Sequence, residues 1–373
     1  MNTVFFGPWI GEFGWEFLHW HAWVNEVCQG EFKTHYKIVS TYPGREPFYP
    51  NADTFIFLPR EILDLQISAR NYISDYWEDM HPGNFKRRSS WLKFMFGSKK
   101  RVVEIPSDID IGSHLREFLG ECRRQLPETT KYFVPFELNK HHGMTFGIER
   151  VSNHDDVSFL THPIPTQSQT FFYLKASNRG REFVKRHLQT EKDVVAVFPR
   201  YRKFRRADKN WEQWKYTRLI ETLQNDLNVE IAVLGEPAAA CFSDGTPPNT
   251  LNLIDIPEDI RMDAHLALLE RASLAVGSLS GALLVAMAAN CRTLTWSWRS
   301  EGIRFHDENF METPCIYHPI PDPSVNEIVQ LSLGMLKSSI PSTPYRQFGS
   351  EDYLIDNKHR SKIYRYLPRR LFS

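Results

Sequence analysis

Three stretches of this chain place groups that could hold an anion or move a proton where a strand gives way to a helix. Near the end of the second half, the apolar run Leu274–Val276 stops at Gly277-Ser278-Leu279-Ser280-Gly281, and a small-residue helix follows at once. A turn of this kind aims backbone N–H groups and the positive end of a helix at a bound anion, with Ser278, Ser280 and Gly281 as the contacting residues. The same spacing also serves a tight connection that binds nothing. Earlier, Pro199 to Trp211 holds six cations among thirteen residues directly after an apolar strand. A charge run usually forms a solvated face, but at the carboxyl end of a strand an arginine fork can clamp a diphosphate. Arg200 and Arg202 are the stronger candidates, and Lys203, Arg205 and Arg206 the weaker ones. At the amino terminus, Gly7-Pro8-Trp9-Ile10-Gly11-Glu12-Phe13-Gly14-Trp15-Glu16 separates a short strand from a helix. Glu12 lies between two glycines on a bent backbone, whereas Glu16 falls in the first helical turn, where acids favour the helix dipole.

Weaker signals lie nearby. Strand 230–234 ends in Gly235-Glu236, where glycine admits a ligand to the backbone and the carboxylate either bonds a sugar hydroxyl or caps the next helix. Trp296-Ser297-Trp298-Arg299-Ser300-Glu301 follows the last core strand. A base could stack there with Glu301 on a ribose, although two tryptophans are more often core. His19 and His21 are two apart on a helix and point in different directions, which disfavours a metal pair, and His265 reads as structural.

These groups need a scaffold, and the pattern supplies an α/β one. The 373 residues suit two domains, and 42% hydrophobic residues can build a core in each. Strands are expected at 3–6, 36–41, 54–58, 101–105 and 170–175, with helices at 61–73, 112–124 and 180–188. The second half is expected to run 194–198, 230–234, 251–256, 274–276 and 293–296, alternating with helices 211–227, 263–272 and 281–290. The division is placed at residues 1–185 and 186–338, followed by a basic tail, 339–373, expected to pack back on the first domain.

Forty-five basic and forty-five acidic residues cancel, so no global field draws nucleic acid, and the five cysteines show neither disulfide nor zinc spacing. The expected setting is the cytoplasm, with no secretory leader and no membrane span. Two basic, aromatic stretches, 85–101 and 358–370, read as solvated segments or as contacts to an anionic membrane surface. Co-sedimentation with anionic vesicles at low salt is the check on the second reading.

The second half resembles the donor-binding domain of GT-B glycosyltransferases, in particular the heptosyltransferase-like bacterial group. The likeness rests on an order over residues 192–300. A strand is followed by Pro199-Arg200, Asn210-Trp211, Leu234-Gly235-Glu236, a helix ending Leu268-Leu269-Glu270-Arg271-Ala272, then Val276-Gly277-Ser278 and Ser280-Gly281. The chain departs from that group where Leu279, Ala282 and Leu283 stand in place of an acid, a proline and a histidine. The resemblance implies two Rossmann-like doubly wound domains facing a central cleft. A nucleotide-sugar sits on the second domain and its sugar passes to a glycan or lipid-linked acceptor on the first, in bacterial surface polysaccharide or lipopolysaccharide assembly. It implies no metal and no cofactor, and a base in the first glycine-rich loop, with Glu12 preferred over Glu16. The alternatives are a GT-B-shaped nucleotide-sugar epimerase and a nucleic-acid-binding protein using the basic cluster 200–209.

Overall fold

The computed structural model describes residues 2–9, 16–64, 111–135, 171–202, 207–242, 245–298 and 312–337. The chain forms two compact units, one of 1–42 with 49–169 and one of 43–48 with 170–373.

The first unit is built on four parallel strands in the order β3-β2-β1-β4, where β1 is Thr3–Phe6, β2 Tyr36–Thr41, β3 Thr54–Phe57 and β4 Lys131–Phe133. Every residue of β1 is buried, as a central strand covered on both faces requires. A π-turn at Glu16–Trp20 runs into α1, His21–Gln29, and α2 spans Ile111–Gln125. Phe6 is ringed by Trp23, Phe32 and Phe133 at centroid distances of 5.4–5.9 Å. Aromatic rings thus share the core with buried aliphatics such as Val4, Val24, Val39 and Leu115. Gly7 ends β1 with φ +111°, and its N–H donates to the Phe133 carbonyl at 2.8 Å. A Cβ at this position would lie 2.3 Å from the Ser40 carbonyl oxygen, so only glycine lets the chain leave the sheet beside β2.

The second unit carries six parallel strands in the order β10-β9-β8-β5-β6-β7. Here β5 is Asp193–Phe198, β6 Val229–Val233, β7 Thr250–Asn252, β8 Leu274–Ser278, β9 Thr293–Trp296 and β10 Cys315–His318. This is the doubly wound order, with the chain reversing direction across the sheet between the neighbours β5 and β8. Helices α4, Gln213–Asp226, and α7, Val325–Lys337, share a buried cluster with Val195, Val197, Val276 and Trp296. Helix α6, Gly281–Ala288, packs on β8, β9 and α5, Glu258–Leu269, with residues outside that cluster. A helical layer thus covers each face. Both sheets are Rossmann-like, as expected.

Several expected elements shift. Lys131–Phe133, Cys315–His318 and α7 were not anticipated, and 171–175 is not a strand, although Leu174 donates its N–H to the Ala288 carbonyl at 2.8 Å. The helix expected at 61–73 is described only over 60–64, and the strand expected at 101–105, the stretch 85–101 and the tail 339–373 lie outside the described residues. The division falls before Thr170 rather than near residue 185. Its cause is α3, Asn178–His187, which is fastened to α5. The Ser177 N–H donates to Asp263 at 2.7 Å, Arg179 pairs with Asp259, and the Arg181 fork meets Glu270 at 2.9 and 3.0 Å. The segment 43–48 also belongs to the second unit. Gly44, at φ +82°, lies so close to α5 that a Cβ would sit 3.0 Å from the Glu258 carbonyl oxygen.

The five cysteines are free, and no helix among the described residues is long and apolar enough to cross a membrane. His265 on α5 is 5% exposed and donates from Nε2 to the Leu253 carbonyl at 2.9 Å. Burial, against the help of that hydrogen bond, pushes its pKa down to about 4. The unfolded chain, with a histidine near 6.5, therefore binds more protons than the folded one between pH 4 and 6.5. Stability is full above that window and falls as pH drops through it, by on the order of 3 kcal/mol. His265→Gln, which keeps a donor for Leu253, is expected to flatten the difference in thermal midpoint between pH 6.5 and 4.5; an unchanged slope would assign it to other groups.

Candidate functional site

The crevice outside the carboxyl ends of β5 and β8 is where a doubly wound sheet offers a ligand site, because the helices on either side of the reversal diverge. The chain leaving β5 is held there firmly. Tyr201 donates its N–H to the Ala239 carbonyl at 2.8 Å and Cys241 donates to the Pro199 carbonyl at 2.9 Å, so 199–201 runs antiparallel beside 239–241. Between them Arg200 is only 6% exposed. Its Nη1 donates to the Asn210 side-chain oxygen at 2.5 Å, the same oxygen accepts the Arg202 N–H at 2.9 Å, and the Asn210 amide returns a bond to the Arg202 carbonyl at 2.7 Å. One carboxamide thus fixes both the loop and the guanidinium.

Beyond it the loop folds back over the sheet edge through a short 3₁₀ turn, Ala207–Lys209. The Lys209 carbonyl accepts the Ser278 hydroxyl at 2.5 Å, and Asp208 accepts the Trp298 indole N–H at 2.7 Å. Beneath, the buried Tyr216 hydroxyl accepts the Ser278 N–H at 3.4 Å. Burial raises this phenol well above its usual range, with the Ser278 and Arg200 backbones pulling the other way. The ends of β5 and β8 are therefore tied through one neutral hydroxyl. Gly277 makes their approach possible, since a Cβ there would lie 2.6 Å from the Phe198 carbonyl oxygen.

The sequence-expected residues distribute unevenly around this frame. Arg200, Arg202, Ser280 and Gly281 stand just beyond the carboxyl ends of the neighbouring strands β5 and β8. Ser280 occupies the N-cap position of α6 with an extended backbone, and its side chain makes no capping bond. The first turn after it leaves backbone N–H groups without intrahelical partners. Ser278 differs from expectation: it is fully buried and its hydroxyl is spent on Lys209, so it braces the loop instead of facing a ligand. Gly235, at φ +154°, lets the chain turn away from β6, and Glu236 precedes a short 3₁₀ turn without capping it through its side chain. Lys203, Arg205, Arg206 and Glu301 lie outside the described residues. Asn210 and Asp208 were missed as site residues. Asparagine ten residues beyond an arginine carries no pattern, and only the fold of the loop brings the two together.

In the first unit Glu16 falls in the first helical turn, as expected; that turn is a π-turn, and the residue is fully buried. Its Oε1 accepts the Tyr49 hydroxyl at 2.8 Å and the Thr41 hydroxyl at 3.1 Å. His21 Nδ1 donates to the Glu16 carbonyl at 3.3 Å. Two hydroxyls replace the water a buried carboxylate gives up, which makes Glu16 an anchor at the carboxyl end of β2. Glu12 lies outside the described residues. Among those residues no group of three or more His, Cys, Asp or Glu is placed to hold a metal.

No protein-family model and no curated protein matches the sequence. Among solved structures the chain is similar to the ADP-heptose lipopolysaccharide heptosyltransferase II of E. coli, at 14% identity over 90% of this chain and 98% of that one, with a TM-score of 0.44. A glycosyl transferase family 9 protein from Veillonella parvula is 11% identical over 90% and 97% of the two chains, with a TM-score of 0.44. A UDP-N-acetylglucosamine 2-epimerase is 11% identical over 95% and 92%, with a TM-score of 0.35.

Proposed function

We propose that this chain is a glycosyltransferase that moves a sugar from a nucleotide diphosphate donor to a hydroxyl of a glycan or lipid-linked acceptor, in bacterial surface polysaccharide or lipopolysaccharide assembly. The observation that carries the reading is the placement of Arg200 and the start of α6 beyond the ends of the neighbouring strands β5 and β8, where the strand order reverses. It adds geometry to the order of motifs by which the sequence resembles the heptosyltransferase-like group. As the bond from sugar to diphosphate breaks, negative charge grows on the leaving phosphate. A buried guanidinium and helix N–H groups, already oriented, stabilise that charge without reorganising. This mechanism asks nothing of a metal. Glu12, in the glycine-rich loop, is the group proposed to take the acceptor proton, with Glu16 anchoring the turn that follows. Arg202, Lys203, Arg205, Gly235, Glu236 and Glu301 complete the proposed donor set.

The test is a thermal-shift screen against UDP-, GDP-, ADP-, dTDP- and CMP-sugars. One diphosphate donor at 100 times its dissociation constant is expected to add about 2.7 kcal/mol, a rise of roughly 5–10 °C. CMP-sugars, with one phosphate, are expected to give less. No shift with any of the five would overturn the reading, and epimerised sugar nucleotide formed without acceptor would replace it with the epimerase.

A further inference from the structure

Trp298 stands two residues beyond the end of β9, and Ser280 stands two beyond the end of β8. The two strands are paired with Ser278 opposite Trp296, and Leu279 donates its N–H to the Trp296 carbonyl at 2.9 Å. Trp298 and the N-cap of α6 thus each follow, by two residues, the paired ends of neighbouring strands. Trp298 lies two residues past Trp296, beyond the end of β9. Yet Trp296 is fully buried against Trp211 and Tyr216, whereas Trp298 is 44% exposed.

An exposed indole at the end of a strand is ordinarily free to change rotamer. This one is held through its ring nitrogen, and the backbone that carries it is held as well. Its N–H is donated to Asp208 at 2.7 Å, and its backbone carbonyl accepts the buried Tyr317 hydroxyl at 2.6 Å. Trp214 on α4 makes the contrast: it is 59% exposed, but among the described residues its indole N–H has no hydrogen-bond partner. Asp208 belongs to the same loop that positions Arg200, so the ring and the guanidinium are set by one segment of chain. Covering a large apolar ring held in water beside the proposed phosphate site is favourable, and stacking suits a ring to another flat face.

We infer that Trp298 is a stacking platform for a ring of the nucleotide-sugar, either the nucleobase or the apolar face of the transferred sugar. This deepens the proposed function and rests on it. The indole would add ring stacking to the phosphate contacts, so the donor is held at two points and its anomeric bond is aimed.

The experiment measures binding of the nucleoside diphosphate and of its sugar conjugate, as identified in the screen, by calorimetry to the wild type, Trp298→Ala, Trp298→Phe and Arg200→Ala. Trp298→Ala is expected to weaken the sugar conjugate 5- to 100-fold, the range for loss of one stacked ring. Trp298→Phe, which keeps a ring, should stay within about fivefold of wild type. An equal loss for the diphosphate alone would place the base on the indole; a loss confined to the conjugate would place the sugar there. Binding by Trp298→Ala within twofold of wild type for both ligands, with Arg200→Ala impaired, would overturn the platform and leave the donor site standing. If the wild type binds neither ligand, the donor reading itself falls, and the platform with it. Far-UV circular dichroism of each variant guards against a folding defect, and Trp298→Phe keeps the question open to measurement if the alanine variant does not fold.

Discussion

Arg200→Ala is expected to reduce sugar transfer at least 100-fold and to weaken donor binding, while the protein stays folded. Two charge-assisted hydrogen bonds to phosphate, each on the order of 1.5–3 kcal/mol, account for that size. Folding should survive because the Asn210 oxygen that loses Arg200 Nη1 still accepts the Arg202 N–H. Arg200→Lys restores the charge without the fork, so it should recover only part of the activity. Steady-state kinetics with varied donor, alongside thermal midpoints, decide the point; unchanged kinetics in the alanine variant would remove the clamp from the mechanism.

The second large effect separates two carboxylates that the sequence sets four residues apart. Glu12→Gln is expected to lower transfer by about 10²- to 10⁴-fold and leave donor binding intact, as loss of a general base does. Glu16→Gln should do little, because an amide oxygen can still accept from Tyr49 and Thr41. Glu16→Ala strands both hydroxyls in a buried site, at about 1–3 kcal/mol each, and should lower the thermal midpoint by roughly 5–15 °C. If Glu16→Gln abolished transfer while Glu12→Gln retained it, the two roles would be exchanged.

The regular parts of the fold were legible because period and punctuation agree there. Thr3–Phe6 and Tyr36–Thr41 are strands at the expected bounds, each closed by a glycine or a turn. Lys131–Phe133 is three residues long and gains its place only by pairing with β1, a partner more than 120 positions away. The stretch after Gln169 misleads in the opposite sense. Thr-Phe-Phe-Tyr-Leu has the composition of a strand, but such propensity records fit to a pleated surface, and no neighbouring strand offers one among the described residues. At the site, the glycine turns and Arg200 could be read from their positions after strands. Trp296 and Trp298 could not be told apart, since they are the same residue type two positions apart and only the end of β9 separates core from solvent. Nor could the sequence show that Ser278 turns its hydroxyl to a carbonyl sixty-nine residues earlier.

The segment 43–48 means that the second unit is not a single interval of sequence. No one crossover point can exchange it whole with a relative's: a chimera joined near residue 170 inherits α5 from one parent and the Gly44 turn that lies against it from the other. A chimera of that kind must match the two parents at this contact, because the Gly44 turn leaves no room for a side chain against the Glu258 carbonyl. The second unit is therefore a module in space but not in sequence.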